Sequence, residues 1–255
     1  MNFKIAAHTD IGIRKKTNQD SVLIKVARTD QGRVCLASVC DGMGGLAKGE
    51  LASATLIRRL NRWFEDELPL MLEKGIDKPE LEKNWTDLIY ETSRAIAAFG
   101  RSIHVDMGTT MVLLLIVGHD YYIVNVGDSR IYMIRDELTR ITKDQTFIQR
   151  EMEEGRMTWE EAQVDPRRNV LLQCIGASEV IEPAFHYGTI LPGTNFLLCS
   201  DGFRHVLSDE ELYEYLSPFR LFNKQQMAEN LKYLIDLAKY RKEVDNISAA
   251  IIRCD

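Results

Sequence analysis

Long apolar stretches are missing from this sequence. The longest run, Met111 to Val117 in MVLLLIVG, is far shorter than the roughly 20 residues that span a bilayer. The N-terminal MNFKIAAHTD has no cationic start followed by an apolar segment, so a secretory leader is not expected. Paired metal-binding cysteines are missing too. Cys35, Cys40, Cys174, Cys199 and Cys254 are odd in number and contain no Cys-x-x-Cys. That argues against a disulfide framework and a structural zinc site, and for reduced thiols in a cytoplasm. Basic excess is absent as well: 32 Lys and Arg against 38 Asp and Glu give a net charge of −6. No long basic stripe offsets that total, so nucleic acid is not an expected partner. An acidic chain that handles phosphates needs local cations or metal ions. No internal repeat or low-complexity linker divides the 255 residues, which can bury a sizeable core.

Short apolar runs are plentiful. FKIAAH, SVLIKVA, RVCLASVC, MVLLLIV, YYIVNVG, RIYMI, FLLCS and ISAAIIR are each of strand length and bounded by Gly, Asp, Asn or Thr. Strands near both ends of the chain favour a single domain spanning 1–255. Between the third and fourth runs, Ala52, Leu56, Leu60, Phe64 and Leu68 recur every fourth residue. Leu81, Trp85, Leu88, Ile89, Thr92, Ile96 and Phe99 mark a second stripe, with Pro79 near its start. Two further helices are expected late in the chain. Ser208 and Glu211 have capping-box spacing, and Leu231, Leu234, Ile235 and Leu237 form an apolar face. Runs of strands with paired helices point to an α+β fold: a central antiparallel β-sandwich flanked by helix pairs. The charged segment 144–172 interrupts the strand series and reads as an inserted functional flap.

The informative feature is where aspartates fall. Apolar strands close on Asp41-Gly42, Gly127-Asp128 and Asp201-Gly202, while Asp20 and Asp245 stand just before strands. In antiparallel sheets the end of one strand and the start of its neighbour share a rim, so five carboxylates could converge there. Converged carboxylates repel one another, and hard divalent ions with oxygen ligands neutralise them. With no Cys/His cluster, Mg²⁺ or Mn²⁺ fits better than zinc. Gly42, Gly44 and Gly45 would let backbone carbonyls approach a metal. Each Asp-Gly pair alone is ordinary turn chemistry. On pattern alone, turns and a carboxylate site both stay open.

The blocks TDIGIRKKTNQDS, VCDGMGGLAKGELAS, MGTTMVLLLI, VNVGDSRIYMI, LTRITKDQT, EEGRMTWEEAQVDPRRNVLLQCIG, FLLCSDGF and VDNISAAII occur in order over nearly the whole chain. In this respect the chain resembles the metal-dependent protein phosphatases of type 2C, the PPM family, in its short bacterial form. The resemblance implies a binuclear Mn²⁺ or Mg²⁺ centre, with two or three ions per chain. Asp41 would bridge two metals and the Gly42 carbonyl would ligate one. Asp201 and Asp245 would hold one metal, and Asp20 would act on the other through water. Asp128, with Asp201, matches a third, weaker site. Segment 144–172 matches the family's variable flap. The implied activity is hydrolysis of phosphoserine or phosphothreonine by direct attack of a metal-bridging hydroxide, without a covalent intermediate. The implied partners are phosphoproteins of a cognate Ser/Thr kinase, and the chain is expected to be a monomer.

The chain also departs from the pattern. Gln19 stands where many relatives have Glu, so no ligand role is assigned to it. The phosphate-binding position carries Lys15, preceded by Arg14. Lys is a point charge without the guanidinium fork. Adjacent side chains in extended backbone or a tight turn diverge, so one of the two is expected to face a phosphate. Met43 cannot donate a proton, and Gln145 is given no role. Of the five histidines only His205, four residues after Asp201, merits a test. Two alternatives share the fold: a regulatory binding protein with weak turnover, and a phosphatase of a small anti-sigma-antagonist type regulator.

Overall fold

A computed structural model describes residues 1–30, 32–43 and 48–255. The expectation for Gly44 and Gly45 therefore lies outside the described residues. Two five-stranded antiparallel sheets pack face to face between two helical layers. The strands are β1 (Phe3–Asp10), β2 (Ser21–Thr29), β3 (Gly32–Cys40), β4 (Gly42–Met43), β5 (Gly108–Thr109), β6 (Met111–Val117), β7 (Asp120–Val126), β8 (Arg130–Ile134), β9 (Leu138–Arg140), β10 (Ala184–Thr189), β11 (Thr194–Cys199) and β12 (Ile247–Cys254). One sheet has the order β1-β12-β11-β8-β9 and the other β10-β7-β6-β3-β2, while β4 and β5 form a small ladder beside them.

All eight apolar runs are strands. Their alternation explains the layering, because successive side chains in a strand face opposite ways. On β3, Val34, Leu36 and Cys40 face the outer helices, and Cys35, Ala37 and Val39 enter the sandwich. On β12, Ile247, Ala249 and Ile251 face out, and Ala250, Ile252 and Cys254 face in. Each fully buried large aliphatic side chain contributes about 1.5–3 kcal/mol, so these faces fix the register. β10 was not among the expected strands: AFHYGT has no apolar alternation, and pairing with β7 orders it.

The helices covering the β10-β7-β6-β3-β2 sheet are α1 (Gly49–Arg62), α2 (Leu68–Lys74) and α3 (Lys78–Ser102). The stripe from Ala52 to Leu68 predicts one helix. The structure instead widens into a π-helical turn over Trp63–Glu67 before α2 begins. Pro69 is the physical reason, since it offers no N–H to the carbonyl four residues back. Trp63 and Trp85 meet edge to face, 5.6 Å between ring centroids, deep in this layer. Phe99, expected on the buried stripe of α3, is 48% exposed, because the stripe ends at Ile96 and Gly100. Between β9 and β10 lie α4 (Phe147–Glu153) and α5 (Trp159–Val164). The β1-β12-β11-β8-β9 sheet is covered by α6 (Asp201–Arg204), α7 (Asp209–Leu216) and α8 (Lys224–Tyr240). Ser208 and Glu211 form the capping box that their spacing predicts. Among the described residues no helix is long and apolar enough to cross a membrane.

Candidate metal centre at the sheet rim

Strand pairing brings the aspartates together. Ser21 pairs with Cys40, so Asp20 and Asp41 flank one end of the β2–β3 ladder. Cys199 pairs with both Arg130 and Ala249, which sets Asp201, Asp128 and Asp245 at the matching end of the facing sheet. The carboxylates are close enough to feel one another. Burial, and then repulsion from Asp20, Asp201, Asp128 and Asp245, pushes the Asp41 carboxyl well above the usual range. Burial also pushes Asp20 up to about 7, partly opposed by hydroxyl hydrogen bonds from Ser248 and Ser200, with Asp201 and Asp245 adding repulsion.

The surroundings hold backbones in place and leave carboxylate oxygens free. Thr110 Oγ1 accepts from Asp41 N–H (3.0 Å), while Thr110 N–H and Thr109 Oγ1 donate to the Asp41 carbonyl (2.8 and 3.0 Å). Among the described residues the Asp41 carboxylate accepts no hydrogen bond. Ser200 Oγ donates to Asp20 Oδ2 (2.9 Å), whereas Asp20 Oδ1 and Asp201 Oδ1 are buried without a partner among the described residues. Buried acceptors of this kind are costly unless something satisfies them. The donor set is all oxygen, crowded with negative charge and missing partners, so it fits a hard divalent cation such as Mn²⁺ or Mg²⁺. Among the described residues no three Asp, Glu, His or Cys side chains are already gathered as a closed cage. The fit therefore rests on charge and unpaired oxygens.

Glycines permit two close approaches. A Cβ on Gly42 would sit 2.4 Å from the Gln19 carbonyl oxygen, and one on Gly202 would sit 2.2 Å from that of Asn246. Each Asp-Gly pair thus lets the chain carrying a ligand pack directly on a neighbouring loop.

The two opening cations separate. Lys15 Nζ lies 2.7 Å from Asp245 Oδ1, and although burial opposes its charge, Asp245, Asp41 and Asp201 hold its pKa above the usual value. Arg14 is exposed and makes no ion pair or hydrogen bond among the described residues. Gln19 contributes through its backbone, its carbonyl accepting from Gly42 N–H and Ser53 Oγ.

Several residues at the site carry no distinctive sequence signal. Asn246 Oδ1 accepts from Gln19 N–H (2.9 Å), and its Nδ2 donates to the carbonyls of Ile11 and Thr17. It thereby ties the Lys15 loop to the Asp245 turn. Glu243 Oε1 accepts from the N–H groups of Val244 and Asp245, and its Oε2 lies 3.4 Å from His205 Nδ1. His205 Nε2 in turn lies 3.4 Å from Asp201 Oδ2. The one available clue was the i, i+4 spacing of Asp201 and His205. Asp128 sits in a different setting: Arg204 Nη2 is 3.6 Å from its Oδ2 and 3.5 Å from Asp144 Oδ2, while Arg130 grips Asp144 with two hydrogen bonds (2.8 and 2.6 Å). All five cysteines are free and buried, and burial pushes the Cys40 and Cys199 thiols up to about 12, so they are packing residues.

Known proteins give the same picture of the fold. The chain is similar to the serine/threonine protein phosphatase PstP of Mycobacterium tuberculosis, with 33% identity over 98% of this chain and 44% of that protein. This chain therefore spans less than half the length of that relative. The phosphatase PhpP of Streptococcus pneumoniae is 28% identical over 98% of this chain and 97% of its own. Among solved structures, a Streptococcus agalactiae serine/threonine phosphatase superposes with a TM-score of 0.85 at 29% identity, over 100% of both chains. A PstP catalytic domain in complex with two manganese ions gives 0.78 at 34% identity, over 98% of this chain and 97% of that one. The family model described as Protein phosphatase 2C matches residues 12–236, a span that holds every candidate residue except Asp245. On that match, and on a PstP likeness running nearly end to end, this chain belongs to the protein phosphatase 2C family.

Proposed function

We propose that this chain is a metal-dependent phosphoprotein phosphatase acting on phosphoserine and phosphothreonine. The observation that carries the reading is the convergence of Asp20, Asp41, Asp201 and Asp245 at one rim, with buried carboxylate oxygens left unpaired. The named relatives are serine/threonine phosphatases, and one PstP structure holds two manganese ions. In this reading Asp41 with the Gly42 carbonyl, Asp201, Asp245 and Asp20 would hold the divalent ions. When bound, the ions would supply an activated water near neutral pH and offset charge on the phosphoryl oxygens.

The chain's own residues supply positioning. The Thr109 and Thr110 hydrogen bonds hold the Asp41 backbone rigid, so its carboxylate is set before any ion arrives. Ser200 holds Asp20 by one oxygen and leaves the other without a partner among the described residues. Lys15 is the cation placed to meet a phosphate: its ammonium already rests on Asp245 and can turn to an incoming anion. Segment 144–172 forms the flap. Thr146 bridges Leu171, and Phe147 N–H donates to Val170 O, closing its neck beside Asp144. Met43 leaves the leaving-group oxygen to be protonated by solvent. The substrates are phosphorylated proteins, in keeping with relatives named as protein phosphatases.

The test is hydrolysis of an aryl phosphate and of a phosphothreonine peptide with Mn²⁺, comparing wild type with Asp201→Asn. Mn²⁺-dependent turnover that falls by at least about a hundredfold in the variant is expected. Equal rates would sink the ligand assignment. A wild type that binds Mn²⁺ yet turns over neither substrate would favour a regulatory binding protein.

A further inference from the structure

We infer that Arg204 takes the place of a third metal ion at Asp128, so that the chain holds two divalent ions and neutralises the third acidic corner itself. The inference rests on the metal-centre reading above. Asp128 is buried, and among the described residues its carboxylate accepts no hydrogen bond. The cation facing it is the Arg204 guanidinium, whose Nη2 lies 3.6 Å from Asp128 Oδ2 and donates to the Asp128 carbonyl at 3.2 Å. Arg204 also approaches Asp144 Oδ2, at 3.5 Å. Asp144 is already gripped by two hydrogen bonds from Arg130, so the charge of Arg204 is shared between Asp144 and Asp128 rather than consumed by Asp144.

The local helix explains how the cation gets there. Asp201 opens α6, and Arg204 and His205 follow it at i+3 and i+4, the spacings that share a helix face. Both therefore turn back over the rim: Arg204 reaches Asp128, and His205 Nε2 lies 3.4 Å from Asp201 Oδ2. The two carboxylates that could share an extra ion thus each face a nitrogen-bearing side chain supplied by the same turn. A divalent ion between them would meet a permanently charged guanidinium within a few ångströms. Arg204 is half-buried and sits between Asp128 and Asp144, 3.6 and 3.5 Å from their Oδ2 atoms. It also links the acidic rim to the first residue of the flap, a link that no diffusible ion would make permanently.

The test is a count of ions by position and in solution. Crystals of the full chain soaked in millimolar Mn²⁺ are read by anomalous scattering, and Mn²⁺ uptake is measured by equilibrium dialysis. Two ions are expected in the wild type, neither against Asp128, and Asp128→Asn should take up the same number. Arg204→Gln should admit a third ion beside Asp128, and the double change Arg204→Gln with Asp128→Asn should return the count to two. A third peak at Asp128 in the wild type overturns the inference without any variant having to fold. So does a folded Arg204→Gln, judged by its melting temperature, that still holds two. Absence of Mn²⁺ from the wild type would instead overturn the metal-centre reading, a result distinct from either.

Discussion

Among single residues, Lys15 and Arg14 are adjacent, both cationic, and separated by where their side chains go. Lys15 reaches the carboxylates and Arg14 does not. Losing one charge-assisted contact to a phosphate costs about 1.5–3 kcal/mol, roughly tenfold or more in binding. Lys15→Ala is therefore expected to raise KM for a phosphopeptide about tenfold with kcat little changed, and Arg14→Ala to leave KM within about twofold. A reversed result would move the phosphate contact to Arg14. Glu243 is the second informative residue. It holds the Asp245 turn through two backbone N–H groups and, through His205, faces Asp201. Groups that orient metal ligands commonly change metal affinity by about 10–100-fold when lost. Glu243→Gln is expected to weaken Mn²⁺ binding by about tenfold in a calorimetric titration. Unchanged affinity would leave Glu243 a purely structural cap.

At the level of elements, the rim is built by strand register, and segment 144–172, the proposed flap, is held by little more than its neck. α4 has no buried residue and α5 only Ala162, while Trp159 and Val164 are exposed. Segments with few buried contacts open at low free energy. Amides of α4 and α5 are expected to exchange with deuterium well before those of β3, β6 and β12, whose side chains are almost wholly buried. Protection of α4 and α5 equal to that of the central strands would remove the flap from the account. Arg130 and Asp144 anchor the near end of the segment to the sheet, so mobility should begin after Asp144.

For the whole molecule, the acidic rim makes metal binding and stability one question. In the metal-free fold burial holds Asp20 near 7, against 3.8 for an unperturbed carboxyl. A carboxyl whose folded pKa is raised stays protonated where the unfolded chain has ionised. Stability therefore falls as pH rises from about 4 through 7. Asp144 works in the opposite sense: burial opposes its charge, but Arg130 and Arg204 hold its pKa below 3.8, so its contribution is already complete in that window. Bound divalent ions favour the ionised carboxylates and cancel the loss. The melting temperature of EDTA-treated protein is expected to drop across this range while that of Mn²⁺-saturated protein does not, with the gap widest near pH 7 and above. Parallel curves would show that the carboxylates do not share a metal.

The sequence by itself determined the eight apolar strands, the layers and the placing of five aspartates at strand ends. These depend on local alternation and on turn chemistry, which are written in neighbouring residues. β10 and the π-helical break before α2 were not legible: the first is ordered by pairing with β7, and the second depends on how a helix accommodates Pro69. Which of two adjacent cations faces the centre was decided only by tertiary structure, because the loop that carries them is held by Asn246, more than two hundred residues away. The same holds for Asp128. Its place at the end of β7 marks it as one more acid of the rim, and only the folding of α6 back over that rim brings Arg204 to meet it.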